Sequence, residues 1–146
     1  MERHEGSDLI RASKSESAAI PRLILDAGAV IALGKGDSRL RARLRAASRD
    51  RAEVIVPPIV VTQTVRGSPR DAPLNQLLKT VRVPAVDLAL ARLAGHLLGV
   101  TGHDDAADAQ IAAEAVRQAP CVILTSDPGD MSLLLSSREG VRISTI

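Results

Sequence analysis

Three carboxylates lie within five positions in the second half of the chain, at Asp104, Asp105 and Asp108. No Gly or Pro occurs from Ala106 to Ala119, and this Ala-rich stretch predicts a helix. Asp105 lies where a helix N-cap belongs, so Asp108 falls in the first turn, on the same helix face. Capping and the helix dipole would explain one or two of these acids without any chemistry. They explain Asp108 less well, because small apolar residues follow it.

Two further acids follow short apolar runs. Asp26 comes directly after Arg22-Leu23-Ile24-Leu25, and Asp127 comes shortly after Cys121-Val122-Ile123-Leu124. Both runs predict buried strands, and sites in open α/β sheets form beyond the carboxyl ends of strands. For Asp127 a simpler reading stays open, because an Asp before Pro is also an ordinary helix start.

The elements that would position these acids alternate along the chain. Helices are predicted after Asp26, Asp37, Pro58, Asp71, Asp87, Asp105 and Asp130, and strands at 22–25, 54–56, 81–84, 121–124 and 141–143. This alternation predicts an α/β fold with a mostly parallel, about five-stranded sheet and helices on both faces, a three-layer α/β/α sandwich. The stretch 81–84 ends in Pro84 and is expected at the sheet edge.

Composition limits the possible classes of protein. A chain of 146 residues with 45% hydrophobic and 25% charged residues is typical of one globular domain. It contains no Phe, Trp or Tyr, so base stacking on aromatic rings is excluded. A single cysteine, Cys121, excludes an intramolecular disulfide and fits a reducing compartment. Residues 1–20 are polar and predict a flexible extension without a secretory signal, so we expect a cytoplasmic protein without membrane segments.

Charge is distributed unevenly although the net charge is only +2. Residues 35–92 contain twelve Lys or Arg and five Asp or Glu, whereas residues 102–130 contain six acids and one Arg. A basic region beside an acidic cluster suits an enzyme that holds cations and attracts a polyanion. Arg41, Arg45 and Arg66 are the candidate phosphate contacts, although Arg-rich helices are often only solvated faces.

Carboxylates that converge at one edge of a sheet repel one another unless a positive charge lies between them. A hard divalent cation bound by the carboxylate oxygens would offset this repulsion, and Mg²⁺ or Mn²⁺ suit sites built from carboxylates and water. Such an ion can polarise a phosphoryl oxygen and activate water as a nucleophile.

Four motifs occur in a characteristic order: Leu25-Asp26-Ala27, Val56-Pro57 to Arg66-Gly67, Asp105-x-x-Asp108-Ala109, and Leu124-Thr125-Ser126-Asp127-Pro128-x-Asp130. This order resembles that of a PIN domain, most of all the VapC-type ribonuclease toxins of bacterial toxin–antitoxin pairs. The resemblance covers about residues 22–146, so residues 21–146 are expected to form a PIN-like nuclease domain. It implies Mg²⁺- or Mn²⁺-dependent cleavage of RNA, a cognate antitoxin that blocks the site, and a homodimer. By position, Asp26 and Asp108 match the metal ligands, and Asp127 matches the acid after the fourth strand.

One position departs from the family pattern. The helix after Val56-Pro57 usually carries a Glu, and here Gln63 occupies the matching position. An amide can bind through its carbonyl oxygen but supplies no charge. We expect Asp105 to restore the missing charge, which makes Asp26, Asp105, Asp108 and Asp127 the candidate catalytic acids. His103 is expected to be incidental, and Asp130 to be peripheral or a solvated first-turn acid.

Other functions compete with a ribonuclease for the same sequence features. A catalytically degenerate PIN domain that only binds RNA or its antitoxin would also accommodate Gln63. Dinucleotide and P-loop enzymes need a Gly-rich loop after the first strand, which Asp26-Ala27-Gly28-Ala29 does not provide. A dehalogenase-like phosphatase would need a second Asp at position 28, and a receiver domain would need paired acids after the first strand.

Overall fold

The computed structural model describes residues 22–136 and 138–146. Four strands form one parallel sheet in the order β2-β1-β3-β4. They are β1 (Arg22–Leu25), β2 (Glu53–Ile55), β3 (Cys121–Thr125) and β4 (Val141–Thr145). The central strands β1 and β3 carry the apolar residues predicted to be buried, and most of these are fully enclosed.

Seven α-helices connect and cover the strands of the described region. They are α1 (Ala27–Gly34), α2 (Ser38–Arg49), α3 (Pro58–Thr64), α4 (Ala72–Leu78), α5 (Leu88–Thr101), α6 (Ala106–Arg117) and α7 (Pro128–Leu134), with a 3₁₀ turn at Pro69–Asp71. Asp37, Asp87 and Asp105 each accept the backbone N–H three residues later, which explains where α2, α5 and α6 begin.

Helices lie on both faces of the sheet. β3 contacts α1 and α6, while α6 also packs against α5 and α7. Right-handed crossovers require this division, because the chain moves from β1 to β2 in one direction and from β2 to β3 in the other. The α/β/α sandwich predicted from the sequence is therefore confirmed. Helix α3 contacts both α1 and α6, so it joins the two helical layers.

Several predicted boundaries differ from the structure, and α7 begins at Pro128, before the predicted start after Asp130. The expected edge strand at 81–84 is reduced to one bridge, in which Arg82 exchanges backbone hydrogen bonds with Val54 and Val56 at 2.9 Å each. Pro84 has no N–H to extend that pairing. Helix α5 continues past Gly99 to Thr101, and Gly102 caps its end with a φ of 73°, which suits a residue without a Cβ.

The predicted extension at 1–20 lies outside the described residues. Among the described residues, every helix is too short or too polar to span a bilayer.

Candidate metal centre

Asp26 connects the ends of the two central strands. Its Oδ1 accepts the N–H of Ala29 at 2.8 Å and so caps α1, while its Oδ2 accepts the N–H of Ser126 at 3.2 Å. The side chain is buried, and Gly28 makes the close packing possible: a Cβ at that position would lie 2.0 Å from Ser126 Oγ. Both carboxylate oxygens keep a lone pair for a further ligand.

The start of α6 carries two acids and faces a histidine. Asp105 Oδ1 accepts the N–H of Asp108 at 3.0 Å, which makes Asp105 the predicted N-cap. Asp108 Oδ2 lies 3.2 Å from Nε2 of His103. The side chains of His103 and Asp108 are 11% and 24% exposed, so this pair is shielded from most of the solvent.

The start of α7 contributes the next two acids. Asp127 caps the helix by accepting the N–H of Asp130 at 3.4 Å, and its own N–H donates to Oγ1 of the buried Thr125 at 2.9 Å. Helices α1 and α7 follow the carboxyl ends of β1 and β3. Helix α6 precedes β3 and runs antiparallel to it, so all three helices begin at the same edge of the sheet.

One ring nitrogen of His103 and one oxygen each of Asp108 and Asp130 lie within 4.8 Å of one another. His103 and Asp130 are thus closer to Asp108 than the sequence led us to expect, while the roles expected for them, incidental for His103 and peripheral or solvated for Asp130, stay predictions. Asp26 is not a member of this group, so its sharing of a cation with Asp108 stays a prediction.

The acids at this edge affect one another's ionisation. Burial raises the pKa of Asp108, and the charges of Asp105 and Asp127 raise it further against the opposing hydrogen bond from His103. A hydrogen bond with Asp127 raises the pKa of Asp130, with additions from burial and from the charges of Asp127 and Asp108. The hydrogen bond to Asp108 raises the pKa of His103. A bound cation would relieve this repulsion.

Gln63 lies on α3, the helix that contacts both α1 and α6. Its Oε1 is buried and has no hydrogen-bond partner among the described residues. A buried carbonyl without a partner costs about 1–3 kcal/mol, so such an atom calls for a water or a cation. The oxygen-rich donor set and this unpaired oxygen both fit a divalent cation.

The other candidate residues have different surroundings. Arg66 donates to the carbonyls of Thr62, Gln63 and Val65, and so caps the end of α3. Arg41 and Arg45 line a cavity of about 310 Å³ whose lining includes none of the candidate acids.

Glu114 had been counted among the acids of residues 102–130, but it is fully buried toward the other end of α6. There it accepts hydrogen bonds from Arg117 and Gln118. It belongs to a structural ion pair and adds nothing to the group at the start of the helix.

Asp71 was read only as the start of a helix, and the structure gives it a further role. Its carboxylate accepts the N–H groups of Arg66, Gly67 and Ser68 and holds the turn after α3. Burial raises its pKa, but these three hydrogen bonds outweigh that effect and lower it overall. A Ser-Pro-x-Asp sequence at 68–71 is the signal of such a capping box.

Comparison of the sequence with protein-family models and with curated proteins gives no match. Solved structures do match. One is a chain from the crystal structure of VapBC2 from Rickettsia felis, which is bound to a DNA fragment from the VapBC2 promoter. It matches with a TM-score of 0.67 and 13% sequence identity, and the match covers 86% of this chain and 98% of that chain. FitAB bound to the IR36 DNA fragment gives 0.63 at 18% identity, with 84% and 94% covered. FitAcB from Neisseria gonorrhoeae gives 0.56 at 18% identity, with 83% and 95% covered. The resemblance to VapC-type PIN proteins is therefore confirmed at the level of the fold.

Proposed function

We propose that this chain is a metal-dependent endoribonuclease of the VapC type. One observation carries the proposal. Acids from the starts of α6 and α7 are close enough to raise one another's pKa, at the sheet edge where β1 presents the buried Asp26. Such crowding of like charge is expected where a divalent cation binds.

Asp26 and Asp108 would hold the cation directly, and Asp105 and Asp127 would complete the charge around it. Asp26 is held rigidly by two backbone N–H groups, so it could bind without rearranging. The buried Oε1 of Gln63 offers a neutral ligand or a water partner on the third helix.

A bound Mg²⁺ or Mn²⁺ would polarise a phosphoryl oxygen and lower the pKa of a water molecule. The protein would contribute position and charge. The helix starts of α1, α6 and α7 point their free N–H ends at the same edge, which favours the ionised acids that bind the metal.

RNA is the proposed substrate because the basic region at 35–92 provides the charge that a polyanion needs. Arg41 and Arg45 on α2 are the proposed phosphate contacts, and Arg66 would contribute only by leaving the carbonyls at the end of α3. A cognate antitoxin, homodimerisation and a cytoplasmic location belong to the same proposal. The relatives of like fold, VapBC2 and FitAB, support the partner by analogy.

The second candidate is a degenerate domain that binds RNA or its antitoxin without cleaving. Gln63 favours it, because a neutral amide replaces a charged ligand of the resembled family. The two candidates differ in whether added metal produces new RNA ends.

The test is cleavage of a mixed RNA substrate by the purified chain in EDTA, Mg²⁺ or Mn²⁺. Asp108→Asn should lower metal-dependent cleavage about 10²-fold or more, equal to about 2.7 kcal/mol in the barrier. Asp37→Asn is the matched control, since Asp37 is also an acid at a helix start but caps α2. Cleavage that persists in EDTA, or that Asp37→Asn and Asp108→Asn reduce equally, would refute the ribonuclease proposal.

A further inference from the structure

We infer that His103 is itself a metal ligand, and that His103, Asp108 and Asp130 form a mixed nitrogen–oxygen site for a first-row transition ion such as Mn²⁺, with little affinity for Mg²⁺. The inference goes beyond the all-oxygen site proposed above. The catalytic role of the ion rests on the proposed function, but binding of the ion to the protein can be measured without RNA.

The geometry of the three side chains is close to that of a coordination shell. Ligands at about 2.1 Å lie about 3.0 Å apart when adjacent and about 4.2 Å apart when opposite in an octahedron. His103 Nε2 and Asp108 Oδ2 are already 3.2 Å apart, the spacing of adjacent ligands. The three ligand atoms lie within 4.8 Å of one another, so side-chain rotations that move them by about 1 Å would bring them to the spacing of ligands around one ion.

The charge around the group also calls for a cation. Among the ion pairs of the described chain, neither Asp108 nor Asp130 has an Arg or Lys partner. Asp105 and Asp127 add negative charge from the two helix starts. A divalent ion between Nε2 and the carboxylates would replace the hydrogen-bonded proton that now joins His103 to Asp108.

The backbone holds His103 where this site needs it. Gly102 ends α5 in the left-handed conformation, and Asp105 begins α6 three residues later. Between them the N–H of His103 donates to Thr101 Oγ1 at 3.3 Å, and the imidazole is only 11% exposed. The ring is therefore positioned from both helix ends, unlike His96, which is exposed on α5.

The imidazole decides which ion is bound. Mg²⁺ prefers oxygen ligands and keeps its water, whereas Mn²⁺, Co²⁺ and Zn²⁺ accept imidazole nitrogen together with carboxylate. A site with one nitrogen and two carboxylate oxygens should thus discriminate against Mg²⁺. An all-carboxylate site would bind both ions, and the loss of His103 would change Mn²⁺ and Mg²⁺ binding alike, through the orientation of Asp108.

The first experiment titrates the full chain with Mn²⁺ or Mg²⁺ by calorimetry, without RNA. His103→Gln should weaken Mn²⁺ binding at least about tenfold, since changes near a metal ligand cost 10–100-fold, and should alter Mg²⁺ binding less than about twofold. His96→Gln is the control and should change neither. Asp130→Asn should also weaken Mn²⁺ binding, whereas the exposed Asp104 converted to Asn should not.

Two further measurements locate the ion and separate a ligand from a residue that only orients Asp108. Sub-stoichiometric Mn²⁺ should broaden the imidazole C–H signals of His103 by paramagnetic relaxation before those of His96. The signals are assigned from the His→Gln variants. A His103 that only orients Asp108 would also weaken Mn²⁺ binding when replaced, and its ring would be broadened because it lies beside the ion. Ligation is therefore read from pulsed EPR of the bound Mn²⁺: a coordinated imidazole should give ¹⁴N modulation in the parent that His103→Gln abolishes and His96→Gln keeps. Bound Mn²⁺ without that modulation would overturn the assignment of His103 as a ligand.

The outcomes distinguish this inference from the proposed function. Preferential broadening of His103 together with ¹⁴N modulation of the bound Mn²⁺, in a chain that does not cleave RNA, would support the site and refute the nuclease. RNA cleavage that depends on Asp108, with no broadening and equal Mn²⁺ affinity in His103→Gln, would overturn the site and leave the nuclease. Equal broadening of His103 and His96 would mean adventitious binding and would also overturn it.

Discussion

Gln63 is the residue at which this chain departs from the family it resembles, and changing it tests how the site handles charge. We expect Gln63→Glu to destabilise the metal-free protein and to increase the stabilisation that Mn²⁺ provides. The reason is that the new carboxylate would replace a buried oxygen that has no partner among the described residues, on the helix that packs against α1 and α6.

The size of the effect follows from that environment. Leaving a buried polar group unpaired costs about 1–3 kcal/mol, and a charged one would cost more unless it takes up a proton. A loss of about 2 kcal/mol corresponds to a Tm lower by about 8 °C in a domain of this size. Mn²⁺ at one hundred times its Kd would restore about 2.7 kcal/mol, or about 10 °C.

Gln63→Leu should have the opposite effect. It removes the unpaired carbonyl and keeps most of the volume, so the metal-free Tm should rise by up to about 4 °C, equal to about 1 kcal/mol. The response to Mn²⁺ should shrink, because a ligand or its water partner has been lost.

Thermal unfolding with and without Mn²⁺ measures both variants. Gln76→Glu is the matched control, since Gln76 is exposed on α4 and its replacement adds the same charge at the surface. If Gln63→Glu unfolds like Gln76→Glu in EDTA, or gains no more from Mn²⁺ than the parent does, then Oε1 of Gln63 does not face the metal and the reasoning fails.

Three further predictions follow from the same contacts. Asp105→Asn keeps the cap of α6 but removes a charge, so metal-dependent cleavage should drop about 10²-fold while Tm changes little. If the variant cleaves RNA as fast as the parent, Asp105 is only a helix cap. Replacing Arg41, Arg45 and Arg66 by Ala should weaken RNA binding and flatten its dependence on salt, whereas unchanged filter binding across salt concentrations would count against phosphate contacts. The pKa of Asp71 is lowered in the folded state, so its ionised carboxylate stabilises the fold above the unfolded pKa of about 3.8. That contribution is lost as the pH falls through the lower pKa of the folded state. Asp71→Asn should therefore remove this part of the pH dependence when unfolding is followed in an acid titration.

Much of the fold could be predicted because the signals are local. β1 and β3 are continuous apolar runs, and a strand buried on both faces needs nothing else to be identified. Asp37, Asp87 and Asp105 were recognised as helix caps because a cap bonds an N–H only three residues away. The parallel sheet then follows from the order of the elements.

The sequence was least informative where a side chain had more than one possible partner. Arg66 was predicted as a phosphate contact, and the sequence does not show that its guanidinium also bonds a carbonyl three residues back, at the end of its own helix. Glu114 was counted with the acidic group, but one and a half turns of helix separate it from Asp108. Residues 81–84 had a strand pattern but only one residue, Arg82, within reach of the sheet.

By itself the sequence determined that Asp37, Asp87 and Asp105 begin helices. It also placed Asp26 and Asp127 after strands, and so predicted that acids would gather at the carboxyl edge of a parallel sheet. Only the tertiary structure decided that Asp130 and His103 join Asp108, because that meeting depends on how the first turn of α7 packs beside α6. Asp108 and Asp130 are 22 positions apart, and no local periodicity relates them. Helix capping is settled by a few neighbouring residues, whereas the distance between two helix starts is set by the packing of the whole core.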